Sequence, residues 1–120
     1  MAIVAAHMLI HTPEPEALRT VLREALGWDY VESNDPPDGW QIFALPPAEV
    51  GVHPSGGETK HEICFMCDDL ERTMDELRAQ GIEFRGEPLE EPWGITTTML
   101  LPGGVRVLLY QRKHASPLKL

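Results

Sequence analysis

Apolar positions in the first half of the chain follow strand-like spacing, then helix-like spacing, then strand-like spacing again. Residues 3–11 are apolar and rich in β-branched side chains, which predicts a strand that ends at Thr12-Pro13. A helix is predicted next, with Gly27 placed to end it. Its apolar face consists of Leu18, Val21, Leu22, Ala25 and Leu26. Three more strands are predicted at residues 28–32, 40–45 and 49–53.

The second half repeats this order of elements. Residues 62–67 predict a strand, and Asp68-Asp69 precedes a helix with Leu70, Met74 and Leu77 on one face. Gly81 is placed to end that helix. Three strands are predicted to follow, at residues 82–85, 95–101 and 105–110. The turns between them are predicted at Gly86-Glu87-Pro88 and Pro102-Gly103-Gly104.

The two halves can be superimposed as sequences. A shift of 55 positions places residues 45–52 on residues 100–107, so that Pro47 meets Pro102. A shift of 54 places Gly27-Trp28-Asp29-Tyr30 on Gly81-Ile82-Glu83-Phe84. Neither an all-α protein nor a doubly wound parallel sheet would give the order βαβββ twice.

The fold class predicted from this repeat is α+β, with two βαβββ modules. We expect one domain over residues 1–120, because a single core typically serves about 100–200 residues. Module one spans about residues 1–55 and module two about residues 58–112. Ser55-Gly56-Gly57 is the predicted linker, and residues 113–120 form a polar tail that we expect to be loose.

Composition excludes some classes of function. The chain is 42% hydrophobic and 24% charged, as is usual for a globular domain, and it carries 19 acidic against 10 basic residues. A net charge of −9 argues against nucleic-acid binding and is compatible with a cationic ligand. The first twelve residues lack a basic segment and a long apolar run, so we expect no signal peptide, no membrane span and a cytoplasmic location.

Cys64 and Cys67 form a C-x-x-C sequence that could indicate a redox or metal motif. Because the surrounding residues are predicted to form a strand, side chains three positions apart point to opposite faces. We therefore interpret both as small buried residues in a reducing compartment.

Several short motifs, in order, resemble the vicinal-oxygen-chelate superfamily of glyoxalases, bleomycin-resistance proteins and dioxygenases. The resemblance covers residues 3 to 112. The matching stretches are Ala6-His7-Met8, Val52-His53-Pro54, His61-Glu62-Ile63-Cys64-Phe65 with Asp68-Asp69-Leu70, Leu77-Arg78-Ala79-Gln80-Gly81, Trp93-Gly94, and Leu101-Pro102-Gly103-Gly104 before Leu109-Tyr110. The resemblance implies that the two modules form a curved mixed sheet around a cleft, and that together they enclose one small-molecule site.

In that superfamily, metal ligands come from the first and last strands of each module. At the corresponding positions this chain has His7, His53 and Glu62, with Leu108 at the fourth. Strand alternation puts the three polar residues on the face opposite the apolar ones. Two imidazoles and a carboxylate would hold a divalent ion such as zinc, nickel, manganese or iron with open positions for a substrate oxygen. Glyoxalases of the superfamily differ in having Glu where this chain has Leu108, and His where it has Glu62.

The aromatic residues Trp40, Trp93 and Tyr110, together with Leu108, are candidates to line the ligand cleft, although such aromatic side chains also serve dimer interfaces. His11 is expected at a solvated strand end, and His61 and His114 are not expected to take part.

Three functions fit these observations. The first is a metal-dependent enzyme (a lyase, isomerase, transferase or dioxygenase) that acts on a small oxygenated molecule. The alternative is a metal-free binding protein that sequesters an antibiotic-type compound, aromatic or cationic. In the third, the cleft has lost its function and the domain serves an assembly. We also predict a homodimer, because free strand edges invite pairing and two-fold dimers are the commonest oligomers.

Overall fold

The computed structural model describes residues 5–33 and 40–118. The first half contains helix α1 (Pro15–Thr20), a π-helical turn (Val21–Ala25), and strands β1 (Tyr30–Ser33) and β2 (Trp40–Phe43). The second half contains β3 (Cys64–Cys67), α2 (Leu70–Ala79), β4 (Glu83–Glu91), β5 (Gly94–Leu101), a 3₁₀ turn (Pro102–Gly104) and β6 (Val105–Arg112). Within these ranges, no helix is long and apolar enough to cross a membrane.

Module two forms a complete βαβββ unit. Its four strands lie in the order β3-β6-β5-β4, with β3 parallel to β6 and the other pairs antiparallel. The register places Cys64 opposite Leu108 and Met66 opposite Tyr110. The fold is therefore α+β, as the sequence predicts.

The hydrophobic core lies between this sheet and the two helices. Its buried members are Leu18, Leu70, Met74, Ile82, Met99, Leu101, Val107 and Leu109. Ile63, Phe65 and Val105 pack against this core, which confirms that alternate residues of these strands lie under the helices. Leu18 of α1 belongs to the same core, so the helices of both modules cover one face of the sheet.

Local sequence explains where the helices begin and end. The Asp69 side chain accepts a hydrogen bond from the Arg72 N–H at 3.0 Å and thereby caps α2. Gly27 and Gly81, each just beyond a helix, have φ values of 67° and 87°. In this left-handed region glycine is favoured because it has no Cβ.

An arginine–aromatic contact occurs in both modules. The Arg23 guanidinium lies 5.9 Å from the centre of the Tyr30 ring, and that of Arg78 lies 5.4 Å from the Phe84 ring. The arginines are 55 positions apart, whereas the aromatic residues are 54 apart. Module one therefore has one more residue between helix and strand, which a π-helical turn accommodates because its hydrogen bonds span five residues rather than four. The internal repeat is thus present in the structure.

Module one departs from the prediction in two segments. Residues 5–11 and 49–53 form no strand in this chain, and Ala6, Met8 and Ile10 are exposed rather than packed under a helix. Val52 is 93% exposed, although its repeat equivalent Val107 is 1% exposed. The physical reason is that a strand is stable only when neighbouring strands satisfy its backbone and its apolar face is covered. Only β1 and β2 pair in the described part of module one.

The predicted turn at Gly86-Glu87-Pro88 is wrong, because β4 continues through it to Glu91. The pairing with β5 shifts between Arg85 and Leu89, and Gly86 has φ of 72°. A bulge takes up the residues that cannot follow the regular ladder, so the strand does not end there.

Candidate functional site

The face of the four-stranded sheet opposite the helices is called here the open face. It is defined by alternate residues of β3, β5 and β6: Cys64, Met66, Thr96, Thr98, Leu108 and Tyr110. Cys64 is exposed, and Met66, Thr98 and Leu108 are half-buried. In the centre of this face the side chains are apolar or weakly polar, as is usual for small-molecule sites.

Trp93 and Tyr110 form an aromatic pair at one end of the open face. Their ring centres are 5.2 Å apart at 73°, which is an edge-to-face arrangement. Trp93 lies in the tight turn between β4 and β5, and the Lys113 N–H donates to its carbonyl oxygen at 2.8 Å. Trp93 is 40% exposed and Tyr110 is 8% exposed. The tryptophan therefore presents an exposed aromatic surface, while its backbone is held by Lys113 and its ring by Tyr110.

A cleft of about 500 Å³ lies at the same end of the sheet as this pair. It lies where the parallel strands β3 and β6 end, and it is lined by Met66, Cys67, Asp68, Gln111 and Arg112. Clefts at the carboxyl ends of parallel strands commonly bind ligands in α/β sheets. Because Met66 lies directly opposite Tyr110, the cleft and the open face are continuous.

The tail after β6 turns back over the end of the open face. Nε2 of His114 lies 2.9 Å from the Tyr110 hydroxyl oxygen, and its Nδ1 lies 2.7 Å from the carbonyl oxygen of Ala115. The Ser116 hydroxyl donates to Oε1 of Glu49 at 2.5 Å, and Oε2 of Glu49 lies 4.0 Å from Nε2 of His114. Tyr110, His114 and Glu49 thus form a polar cluster beside Trp93.

Two titratable groups of the open face have raised pKa values. Burial raises the pKa of Tyr110, and the negative charge of Glu49 raises it further. Although Cys64 as a whole residue is exposed, partial burial of its thiol raises the pKa of that group, with a second contribution from the charge of Glu62. Tyr110 therefore keeps its proton at neutral pH and can donate a hydrogen bond.

The predicted metal ligands are not brought together in this chain. His7, His53 and Glu62 are each exposed, and Glu62 pairs with Lys60 at 3.1 Å. No three histidine, cysteine, aspartate or glutamate side chains are grouped as metal ligands within residues 5–33 and 40–118. In this arrangement the three residues do not fit a metal ion.

The other predicted site residues have varied positions. Trp93, Leu108 and Tyr110 lie at or beside the open face. The Trp40 side chain lies outside the described part of the chain. Cys64 and Cys67 are free thiols on opposite faces, as the strand spacing predicts. Cys67 packs against the core, but the prediction that both are buried is wrong for Cys64, which is exposed because its side of the sheet is not covered by the helices.

Sequence reasoning missed His114 and Glu49. His114 follows Tyr110 by four positions, and it reaches the hydroxyl only because the chain turns back after the strand ends. Glu49 joins it through a contact with Ser116 that spans 67 positions of sequence. No local pattern signals such contacts.

Taken together, the described residues form an α+β fold with an aromatic pair at one end of its open face. The sequence profile described as Glyoxalase/Bleomycin resistance protein/Dioxygenase superfamily matches residues 5–109. The chain belongs to this superfamily. No curated protein matches the sequence.

Solved structures share the fold. An antibiotic binding protein, TnmS3 from Streptomyces sp. CB03234, superimposes with a TM-score of 0.69 at 21% identity, covering 94% of this chain and 99% of its own. A superfamily member from Sphaerobacter thermophilus DSM 20745 gives 0.66 at 21% identity, covering 93% and 100%. One from Nocardioides gives 0.58 at 20% identity, covering 98% and 93%. At these identities the similarity establishes the fold alone.

Proposed function

We propose that this protein binds a small aromatic molecule on its open face, against Trp93, without requiring a metal ion. The observation that carries the proposal is the Trp93–Tyr110 pair, whose exposed tryptophan ring lies at the same end of the sheet as a cleft of about 500 Å³. That volume is in the range of small-molecule sites. An antibiotic-binding protein among the structures with this fold also supports the proposal.

The anchoring of Trp93 supports a binding role. Its carbonyl oxygen is bonded to the Lys113 backbone, and its ring rests edge-to-face on Tyr110. A ring held in this way loses little conformational freedom when a ligand stacks on it, so more of the contact energy appears as affinity.

The test is an NMR titration with 3-methylindole, a neutral aromatic probe, on protein dialysed against EDTA. We expect the indole N–H resonance of Trp93 to shift, and Trp93→Ala to weaken binding by about tenfold or more. Trp28→Phe is the matched control, because Trp28 packs edge-to-face on Phe65, whose side chain lies on the helix side of the sheet. An unchanged Trp93 resonance would refute this function.

A metal-dependent enzyme is the second candidate. The observation in its favour is the internal repeat, in which His7 corresponds to Glu62 and His53 corresponds to Leu108. In module two, Leu108 pairs with Cys64, which follows Glu62 by two residues. Strands formed in module one with the register of module two would make His7 and His53 neighbours. Elemental analysis of purified protein checks this candidate; a transition metal bound one per chain, and lost in His7→Ala, would favour it over the first.

We further propose that the protein is a homodimer. Apolar residues at alternate positions of two segments, among them Val50 and Val52, are exposed in the single chain. The radius of gyration is 15.7 Å, against about 14 Å for a compact domain of this length. A second copy could supply the missing neighbouring strands and bury these residues, and a two-fold arrangement would satisfy both copies equally.

Light scattering and small-angle X-ray scattering test the assembly. We expect a mass of twice 13.4 kDa at micromolar concentration. Val52→Lys should shift the protein toward monomer, whereas Glu76→Lys on the outer face of α2 should not. A monomeric wild type would refute the dimer.

A cytoplasmic location is also part of the proposal. Both cysteines are free thiols, and a reducing compartment keeps thiols in this form. Titration of protein from the native cell with a thiol reagent should find both cysteines reduced.

A further inference from the structure

The polar cluster beside Trp93 has a defined direction of hydrogen bonding. Nδ1 of His114 faces the carbonyl oxygen of Ala115, which can only accept, so Nδ1 carries the proton of the neutral imidazole. Nε2 is then an acceptor, and the Tyr110 hydroxyl donates to it. The Tyr110 hydroxyl proton is therefore engaged in a hydrogen bond to His114 and is not available to a ligand.

The atoms that remain at this end are acceptors. The Tyr110 oxygen keeps its lone pairs, and Glu49 is a carboxylate of which one oxygen accepts from Ser116. The other oxygen is 4.0 Å from Nε2 of His114, which is too long for a hydrogen bond. The cluster thus offers a ligand a phenolic oxygen and a carboxylate oxygen.

The negatively charged carboxylate of this cluster is partly buried. The Glu49 side chain is 22% exposed, and Tyr110 is 8% exposed. A partly buried carboxylate gains most from a donor that carries positive charge. Trp93, next to Tyr110, offers an aromatic face to which a cation is also attracted.

Arg112 is the positive group nearest to this end on the same face of β6. Its Nη1 donates to the carbonyl oxygen of His114 at 2.9 Å. Its positive charge lowers the pKa of Tyr110, but burial and the charge of Glu49 raise that pKa by more. A ligand carboxylate would be drawn to Arg112, whereas a ligand ammonium would be drawn to Glu49. The two classes of ligand are therefore distinguishable by experiment.

We propose that the Tyr110–His114–Glu49 cluster selects an aromatic ligand that carries a protonated amine, with the ring on Trp93 and the ammonium donating to Glu49 and the Tyr110 oxygen. This inference rests on the proposed function, since it names the ligand class of the same open face. Glu49 is the specificity-determining residue, and His114 is a positioning residue that keeps Tyr110 as an acceptor toward the ligand.

Three probes with one ring system and different charge test the proposal: tryptamine, 3-methylindole and indole-3-propionate. At pH 8 we expect tryptamine to bind about tenfold more tightly than indole-3-propionate, with 3-methylindole between them. Glu49→Gln should reduce this difference to about twofold, because it removes the negative charge that distinguishes the charged probes. Glu76→Gln, an exposed position on α2 on the opposite side of the sheet, is the matched control and should keep the full difference.

A second variant separates the role of His114. Phenylalanine has no acceptor, so His114→Phe frees the Tyr110 proton and should strengthen indole-3-propionate binding relative to tryptamine. The inference would be overturned if the wild type bound the two charged probes equally, or if the preference for tryptamine persisted in Glu49→Gln. In either case, a shift of the Trp93 resonance with 3-methylindole would still support the proposed function. Failure of all three probes to shift the Trp93 resonance would overturn both.

Discussion

Gly94 lies against the Tyr110 ring so closely that a Cβ at this position would be 3.0 Å from Cδ2 of the tyrosine. The same Cβ would lie 2.7 Å from the backbone carbonyl oxygen of Gln111, which cannot move without disturbing β6. The absence of a side chain at Gly94 therefore allows β5, Tyr110 and the Trp93 turn to meet.

Replacing this glycine should destabilise the protein. Gly94→Ala is expected to lower the free energy of unfolding by about 1–3 kcal/mol, because the extra carbon overpacks a position bounded by backbone. Urea denaturation measures this. The control is Gly57→Ala, where a Cβ meets nothing within 4 Å, and it should be neutral. Equal stability of the two variants would contradict the close contact.

Two valines 55 positions apart should respond differently to truncation. Val107→Ala removes two buried carbon atoms from the core and should cost about 1.5–3 kcal/mol at any protein concentration. Val52→Ala should cost nothing measurable in dilute solution, since Val52 is exposed in the single chain. If the proposed dimer forms, the Val52 variant should instead raise the dimer dissociation constant, which sedimentation measures.

The two aspartates before α2 should differ in their effect on stability. Asp69→Ala removes the cap on the Arg72 N–H and should cost about 1 kcal/mol. Asp68→Ala removes only an exposed ion pair with Arg72, at 3.1 Å, and should cost about 0–0.5 kcal/mol. Thermal unfolding of the two variants checks this, and a larger loss in the Asp68 variant would be inconsistent with Asp69 as the cap.

Thr97 should tolerate, and gain from, the loss of its hydroxyl group. Its Oγ1 is buried and has no hydrogen-bond partner within the described ranges of the chain. Thr97→Val keeps the shape and removes the unsatisfied group, so the free energy of unfolding should rise by about 1 kcal/mol. Thr97→Ser, which keeps the hydroxyl and loses the methyl group, should lower it. A destabilised valine variant would point to a partner for this oxygen.

Tyr110 should make stability depend on alkaline pH. Burial, followed by the charge of Glu49, raises its pKa above the ordinary value near 10, so the folded state holds the phenol proton more tightly than the unfolded state. This contribution is fully present below about pH 10 and is lost as pH rises through the folded-state pKa. Tyr110→Phe should lack this component, which denaturation between pH 8 and pH 11 would measure as the difference between the two proteins.

Module two and its core could be predicted from sequence in most of their detail. The spacing of Leu70, Met74 and Leu77, with Asp69 before them and Gly81 after, defines α2 locally, and the structure has it at Leu70–Ala79. The alternation at Val105, Val107 and Leu109 likewise predicted which face of β6 is buried. These predictions hold because the side chains that define each element are close in sequence.

The candidate site was predictable only in part. Trp93, Leu108 and Tyr110 stand at or beside the open face because strand alternation and a two-residue turn put them there. His7, His53 and Glu62 form no three-ligand group in the described ranges, because their positions depend on strands that residues 5–11 and 49–53 do not form.

The sequence by itself determined the α+β class, the internal repeat, the helix ends and the buried face of the second sheet, since all of these follow from residue spacing over short stretches. Tertiary structure decided whether residues 49–53 become a strand, because a strand needs partners from elsewhere. It also decided that Glu49 and His114 meet beside Tyr110, a contact made by the path of the chain across 67 positions from Glu49 to Ser116. Long-range packing, which local spacing does not encode, sets both outcomes.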